Sequence, residues 1–145
     1  MPKIPTGKLA SMHISYSFFL YMLGTQIIFP SWPYLLKLIF TIFIILLSVS
    51  GSLWYFKKRG YVIEEKQKFL RLSAIWFFLI NFSVPVMYTI LIVWIMRTGA
   101  SATDLAKTFA IFLVSSGITT LLFYWFTKKL MPRVESGKSL LNWKK

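Results

Sequence analysis

The chain has 145 residues, of which 57% are hydrophobic and only 14% are charged. Soluble domains carry about 25% charged residues, so this composition excludes a water-facing globule and predicts a single integral membrane domain. A net charge of +13 would suggest nucleic-acid binding in a soluble protein. Here the basic residues stand between apolar segments, as membrane topology requires, and we expect no nucleic-acid partner.

The first predicted element is residues 9–29, the least apolar of four candidate transmembrane helices. It contains His13, Gly24, Gln26 and several serines, and the alternatives are a signal peptide or a helix lying in the membrane interface. No small-residue cleavage site follows it, and its polar residues form no basic face. We therefore interpret it as a span, with three spans as the fallback.

The next three elements are predicted at residues 34–56, 72–96 and 105–126. Each supplies the roughly 20 apolar residues that a helix needs to cross the hydrocarbon core, and none contains an acidic residue. Their only basic residues, Lys37 and Lys107, lie in the first turn, where a long side chain reaches the interface. The predicted fold class is all-α, a polytopic membrane protein without a soluble domain.

Basic residues fix the predicted orientation. Fourteen of the seventeen fall in the N-terminal segment, the loop 57–71 or the tail 127–145, whereas Lys37, Arg97 and Lys107 fall on the other side. Positively charged loops remain cytoplasmic, so both termini are predicted in the cytoplasm of a plasma or inner membrane, or on the equivalent side of an organelle. The same basic segments are expected to contact anionic lipids at the cytoplasmic face.

Helix ends and interfacial anchors carry their own signals. Residues 101–104, Ser-Ala-Thr-Asp, predict a capping box that opens the last helix. Aromatic and lysine side chains are typical of the membrane–water interface. The predicted anchors are Trp32, Tyr34, Lys37 and Trp143.

Asn81, Ser83 and Pro85 form the most irregular feature inside a predicted span. Proline lacks an N–H and displaces the carbonyl four residues earlier, here that of Asn81. In lipid this carbonyl must find another partner. The motif predicts a helix kink with Asn81 facing protein, and the alternatives are a static bend or a hinge beside a polar pocket.

Small and hydroxylated residues cluster in the second and last predicted spans. Such residues let helix backbones approach closely, although they also suit a water-filled pore. We interpret them as helix-packing residues because no charged ring accompanies them. They are Ser48, Gly51, Ser52, Ser116, Gly117 and Thr120.

Catalytic and metal-binding patterns are absent from the sequence. There is no cysteine, one histidine and four acidic residues, all of them predicted outside the spans, so we expect no enzyme, no metal site and no cofactor. His13 is the sole candidate cofactor ligand, but it has no second histidine or carboxylate to work with.

Three functional classes follow from these patterns. The leading hypothesis is a non-catalytic membrane subunit or accessory protein that packs against other membrane protein chains within a larger complex. The second is a small homo-oligomeric channel, transporter or pore-forming protein. The third is an enzyme or cofactor carrier centred on His13.

Overall fold

The structure, a computed structural model, describes residues 4–135, which fold into four α-helices. These are α1 (Thr6–Thr25), α2 (Tyr34–Arg59), α3 (Lys66–Met96) and α4 (Ala102–Glu135). The predicted all-α class is confirmed. Positions 136–145, which include the predicted anchor Trp143, lie outside the described residues.

Three of the four helices have the length and composition of membrane spans. Helices α2, α3 and α4 are each long and apolar enough to cross a membrane, in keeping with a multi-pass membrane protein, and α1 is not among them. Large apolar side chains are also exposed around these helices, as at Trp54, Trp94 and Leu121. A fourth span through α1 stays a prediction.

Two helices extend well beyond the limits that hydropathy predicts. Helix α3 begins at Lys66 instead of residue 72, and α4 runs on to Glu135 instead of ending at residue 126. Hydropathy marks the stretch that suits lipid, whereas a helix continues for as long as its side chains pack. Leu130, Met131 and Val134 are buried, so the first nine residues of the predicted tail are helical.

Local capping explains where two helices start and stop. Ser101 Oγ accepts a hydrogen bond of 3.2 Å from the Asp104 N–H, which is the N-cap half of the predicted capping box. Gly60 follows α2 with φ +72°, a conformation open to glycine at little cost. The Gly60 and Tyr61 N–H groups then bond to the carbonyls of Lys57 and Phe56, which closes the helix.

The four helices form a bundle of two hairpins. Helix α1 packs against α2 and α3, and α4 packs against α2 and α3, which leaves α1 opposite α4 and α2 opposite α3 across the bundle. Side-chain contacts place the start of α1, the end of α2, the start of α3 and the end of α4 at one end. Most of the described basic side chains therefore gather at that end, which we call the basic end, and Lys37, Arg97 and Lys107 lie towards the other.

Burial divides the bundle into two halves. Every fully buried residue of the described chain lies in 6–17, 44–56, 63, 69–77 or 116–134, next to the basic end; we call this the packed half. No residue is fully buried in 18–25, 34–43, 78–96 or 102–115, which form the open half. The helices thus enclose a core over only half of their length.

Helices α1 and α2 lie close together at Gly24, a residue that sequence patterns did not mark for packing. A Cβ atom at Gly24 would lie 2.6 Å from Cγ2 and 3.1 Å from Cγ1 of Ile44. Both atoms are bonded to the branched Cβ of Ile44, so they cannot move far. At Gly51, which was predicted to pack, a Cβ atom would meet Leu20 at an ordinary 3.4 Å.

We therefore expect Gly24→Ala to destabilise the fold by about 1–3 kcal/mol, because the added methyl group forces α1 and α2 apart. The free energy of unfolding in detergent, titrated with a denaturing detergent, measures the effect. Gly7→Ala is the matched control on the same helix, since a Cβ there meets nothing within 4 Å. Equal stability of the two variants would contradict the close contact.

Candidate functional site

His13 lies at the centre of the packed half, where all four helices meet. Its side chain is fully buried. Nδ1 lies 2.6 Å from Ser52 Oγ on α2, and Nε2 lies 3.2 Å from Thr127 Oγ1 on α4. A neutral imidazole donates from one nitrogen and accepts at the other, and either hydroxyl can take either role. The histidine therefore connects α1 with two helices, one of them directly across the bundle.

Aromatic rings enclose His13 on its remaining sides. The Phe123 ring stacks on it with centroids 5.2 Å apart, the Phe69 ring lies at 5.2 Å, and the Phe56 ring lies at 6.0 Å. Phe77 continues the layer by stacking on Phe123 at 4.2 Å with nearly parallel planes. The centre of the packed half is thus one polar ring within a shell of phenyl rings.

This arrangement favours a structural role for His13. A metal ion or haem iron needs a nitrogen with a free lone pair and open space in front of it. Both nitrogens of His13 instead face hydroxyl groups, and Ser17 Oγ adds a third hydroxyl at 3.5 Å from Nδ1. Among residues 4–135 no group of three His, Asp or Glu side chains could hold a metal ion.

Two hydroxyls near the core have no hydrogen-bond partner among the described residues. They are Ser73 Oγ on α3 and Thr120 Oγ1 on α4. Ser73 lies on the buried face of α3, four positions after Phe69 and four positions before Phe77. Thr120 was predicted as a packing residue, whereas nothing in the pattern singled out Ser73.

Asn81 makes the second polar link between helices, at the boundary of the open half. Its Nδ2 donates a hydrogen bond of 2.6 Å to Thr119 Oγ1 on α4. Thr119 Oγ1 in turn donates to the backbone carbonyls of Ser115 and Ser116, at 3.0 and 3.1 Å. The amide therefore faces protein, and the α3–α4 pair carries a chain of two hydrogen bonds at this level.

Pro85 lies inside α3, which continues through it to Met96. The Pro85 carbonyl accepts a hydrogen bond of 2.8 Å from the Thr89 hydroxyl one turn later. Ser83 is exposed and does not join Asn81, so these three residues do not form one polar pocket. The bend itself stays a prediction.

The predicted packing residues divide into two groups. Ser48, Ser52 and Ser116 are buried between helices, and the Ser48 hydroxyl bonds to the Ile44 carbonyl of its own helix. Gly117 differs from the expectation, because a Cβ atom there would meet nothing within 4 Å. Its missing side chain therefore allows no close approach among these four helices, and its face of α4 is open.

The three predicted interfacial anchors among the described residues lie around the start of α2. Trp32 packs edge-on against Phe29 and Phe40, with centroids 5.6 and 5.4 Å apart. Tyr34 is largely exposed. Lys37 is half-buried and borders a groove between α2 and α4.

Comparison with protein-family models, with curated proteins and with solved structures finds no match to this chain.

A double-mutant cycle tests the histidine network. His13→Phe keeps an aromatic ring but orphans the buried hydroxyls, and Ser52→Ala orphans the ring nitrogen, so each should destabilise the fold by about 1–3 kcal/mol. The double variant should lose less than the sum, with a coupling of about 0.6 kcal/mol and at most about 1.7 kcal/mol, the average and the maximum found for hydrogen bonds between membrane helices. Stability in detergent measures all three.

Ser50→Ala provides the control for this cycle, because the Ser50 hydroxyl bonds to the Leu46 carbonyl of its own helix. It should change stability by less than either single variant and show no coupling to His13→Phe. A stability of His13→Phe equal to that of the natural protein would rule out the network as a stabilising element.

Proposed function

We propose that the chain is a non-catalytic membrane subunit with four spans and cytoplasmic termini, which packs against helices of other membrane proteins. The observation that supports this most directly is the division of the bundle. One half is closed by its own side chains, and the other half leaves apolar helices without an interior. Association of helices in lipid depends on close packing. In the open half, helix surfaces remain that a partner helix can pack against.

The proposed first span rests on how α1 sits in the bundle. Its 20 residues correspond to about 30 Å, enough to cross the hydrocarbon core. Three of the polar residues that lower its hydropathy, Thr6, His13 and Ser17, are buried against the other helices, whereas Lys8, Ser11 and Ser15 are exposed. Large apolar residues such as Phe19 and Leu23 are exposed where lipid would lie. Burial of the histidine together with exposure of these apolar residues suits a span.

A pore through a single copy is disfavoured by the packed half. His13, Phe69, Phe77 and Phe123 are all at most 1% exposed and contact one another in the bundle centre. A continuous water path would have to displace this layer. Conduction would therefore need several copies around a shared axis, which is the alternative that the experiments below distinguish.

The surface best suited to a partner helix runs along α4, from the open half into the first residues of the packed half. Ala106, Leu113 and Gly117 are spaced by seven and four residues, so they share one face of the helix. The two small residues lack bulk, and the space in front of Gly117 is open. A partner backbone could approach closely here, as at other small-residue interfaces in membranes.

The proposed topology predicts the labelling of single cysteines, which is clean because the natural chain has none. Cysteine at Gly60 should be protected from a membrane-impermeant maleimide in intact cells, and cysteine at Ser101 should react. A third cysteine at Gly7 should be protected if α1 spans the membrane, because Gly7, at the start of α1, then lies on the inner side. Reaction at Gly7 together with reaction at Ser101 would remove α1 from the spans.

The subunit proposal predicts that Gly117→Leu weakens association with partner chains while leaving the fold of the single chain intact. No residue in the described part of the chain lies where the new side chain begins, so the stability of the variant in detergent should be unchanged. The measurement is the yield of co-purifying chains in a mild detergent, with Gly7→Leu as the control at a second open glycine.

Reconstitution of the purified chain in liposomes separates the two functional classes. A subunit gives no ion or solute flux by itself, and distinct partner chains account for the co-purified mass. Flux from the chain alone, lost in Gly117→Leu without loss of a homo-oligomer, would replace the subunit proposal with a pore.

A further inference from the structure

A groove of about 590 Å³ lies between α2 and α4 in the open half. Its size falls in the range of about 300–1,000 Å³ typical of small-molecule sites. Along α4 it reaches from Ala110 to Leu122, a rise of about 18 Å, which is close to the depth of one leaflet of a hydrocarbon core about 30 Å thick. It is therefore long enough for one lipid chain.

Four residues with hydroxyl groups line this groove: the hydroxyls of Thr41 and Thr119 are engaged with the protein, and Tyr34 and Ser115 are the other two. Thr41 Oγ1 donates to the Lys37 carbonyl at 2.7 Å. Thr119 Oγ1 accepts from Asn81 and donates to the Ser115 carbonyl. The remaining wall is formed largely by aliphatic side chains such as Ile42. The wall is therefore mostly apolar and suits an apolar occupant.

Lys37 supplies the one charge among the residues that line the groove. It lies in the first turn of α2, near the end of the groove that faces the membrane surface, and it is half-buried. Its ammonium group forms no ion pair with any described residue. An anion at this position would pair with Lys37 in surroundings of low dielectric constant, where the attraction is stronger than in water.

We propose that the groove binds an anionic phospholipid, with one acyl chain between α2 and α4 and the phosphate at Lys37. The apolar wall and the unpaired ammonium group together match an anionic amphiphile. The lipid would lie in the leaflet opposite the basic end, apart from the anionic lipid expected at the cytoplasmic face. This proposal depends on α2 and α4 crossing the membrane, but it does not depend on the subunit role or on a span through α1.

Photo-crosslinking in nanodiscs tests the site with defined lipids. The purified full-length chain is incorporated with phosphatidylglycerol or phosphatidylcholine that carries a diazirine in the acyl chain, and crosslinked residues are identified by mass spectrometry. We expect phosphatidylglycerol to label the groove residues of α2 and α4 preferentially. Labelling spread evenly over the exposed faces of all helices would overturn the proposal.

Two pairs of variants separate the effect of the Lys37 charge on lipid labelling from the effect of the groove's shape. Lys37→Gln should reduce groove labelling by phosphatidylglycerol about fivefold and remove its advantage over phosphatidylcholine, whereas Lys107→Gln, at a basic residue that does not line the groove, should not. Val114→Trp should block labelling by obstructing the groove, and Val84→Trp, at an exposed position outside it, should not.

The same data separate the other possible occupants. A loss of labelling that tracks dimer formation in crosslinked samples would show a second copy in the groove and refute the lipid site. Unchanged selectivity in Lys37→Gln would refute the role of the charge. Thermal stability in detergent without added lipid, equal for all four variants, ensures that lost labelling reflects the site and not unfolding.

Discussion

A buried polar atom must find its partner within the protein, and the packed half of this bundle is organised around that requirement at His13. The imidazole is fully buried, and a buried polar group without a partner costs several kcal/mol. The hydroxyls of Ser52 and Thr127 come from two other helices, so the ring is satisfied only when α1, α2 and α4 are in register. The phenyl rings of α2, α3 and α4 fill the remaining space around the imidazole ring. In some proteins a buried polar group of this kind fixes which arrangement of helices forms.

The hydrogen bond from Asn81 to Thr119 also satisfies a polar side chain by a partner on another helix, at a different level of the bundle. It joins only α3 and α4, at the level where full burial ends. Towards the basic end, four helices share one core. Beyond this bond, in 78–96 and 102–115, no residue is fully buried. The two proposed functions use different faces of α4 near the boundary between the halves: a partner would cover Gly117, and a lipid chain would lie against Val114 and Ile118.

Much of the fold could be predicted from the hydropathy and charge of the individual residues, because these properties act on each segment independently. The three apolar spans, the gathering of basic residues at one end and the Ser101 cap are of this kind. Contacts between helices could not be predicted, since they depend on which faces meet. Thus Gly117 and Gly24 look alike in sequence, yet only Gly24 lies against another helix, and His13 looked isolated because its partners are 39 and 114 residues away.

The length of α4 implies that different forces stabilise the two halves of the bundle. Helix α4, with 34 residues, is about 51 Å long, some 20 Å more than the hydrocarbon core. Its surplus carries Lys128, Lys129 and Arg133 and also the buried Leu130 and Val134, so this part of the core borders water. There the hydrophobic effect drives burial, whereas within lipid it provides no attraction between helices. The basic end should therefore respond to urea and temperature as a soluble protein does, while the open half should respond to the thickness and composition of the bilayer.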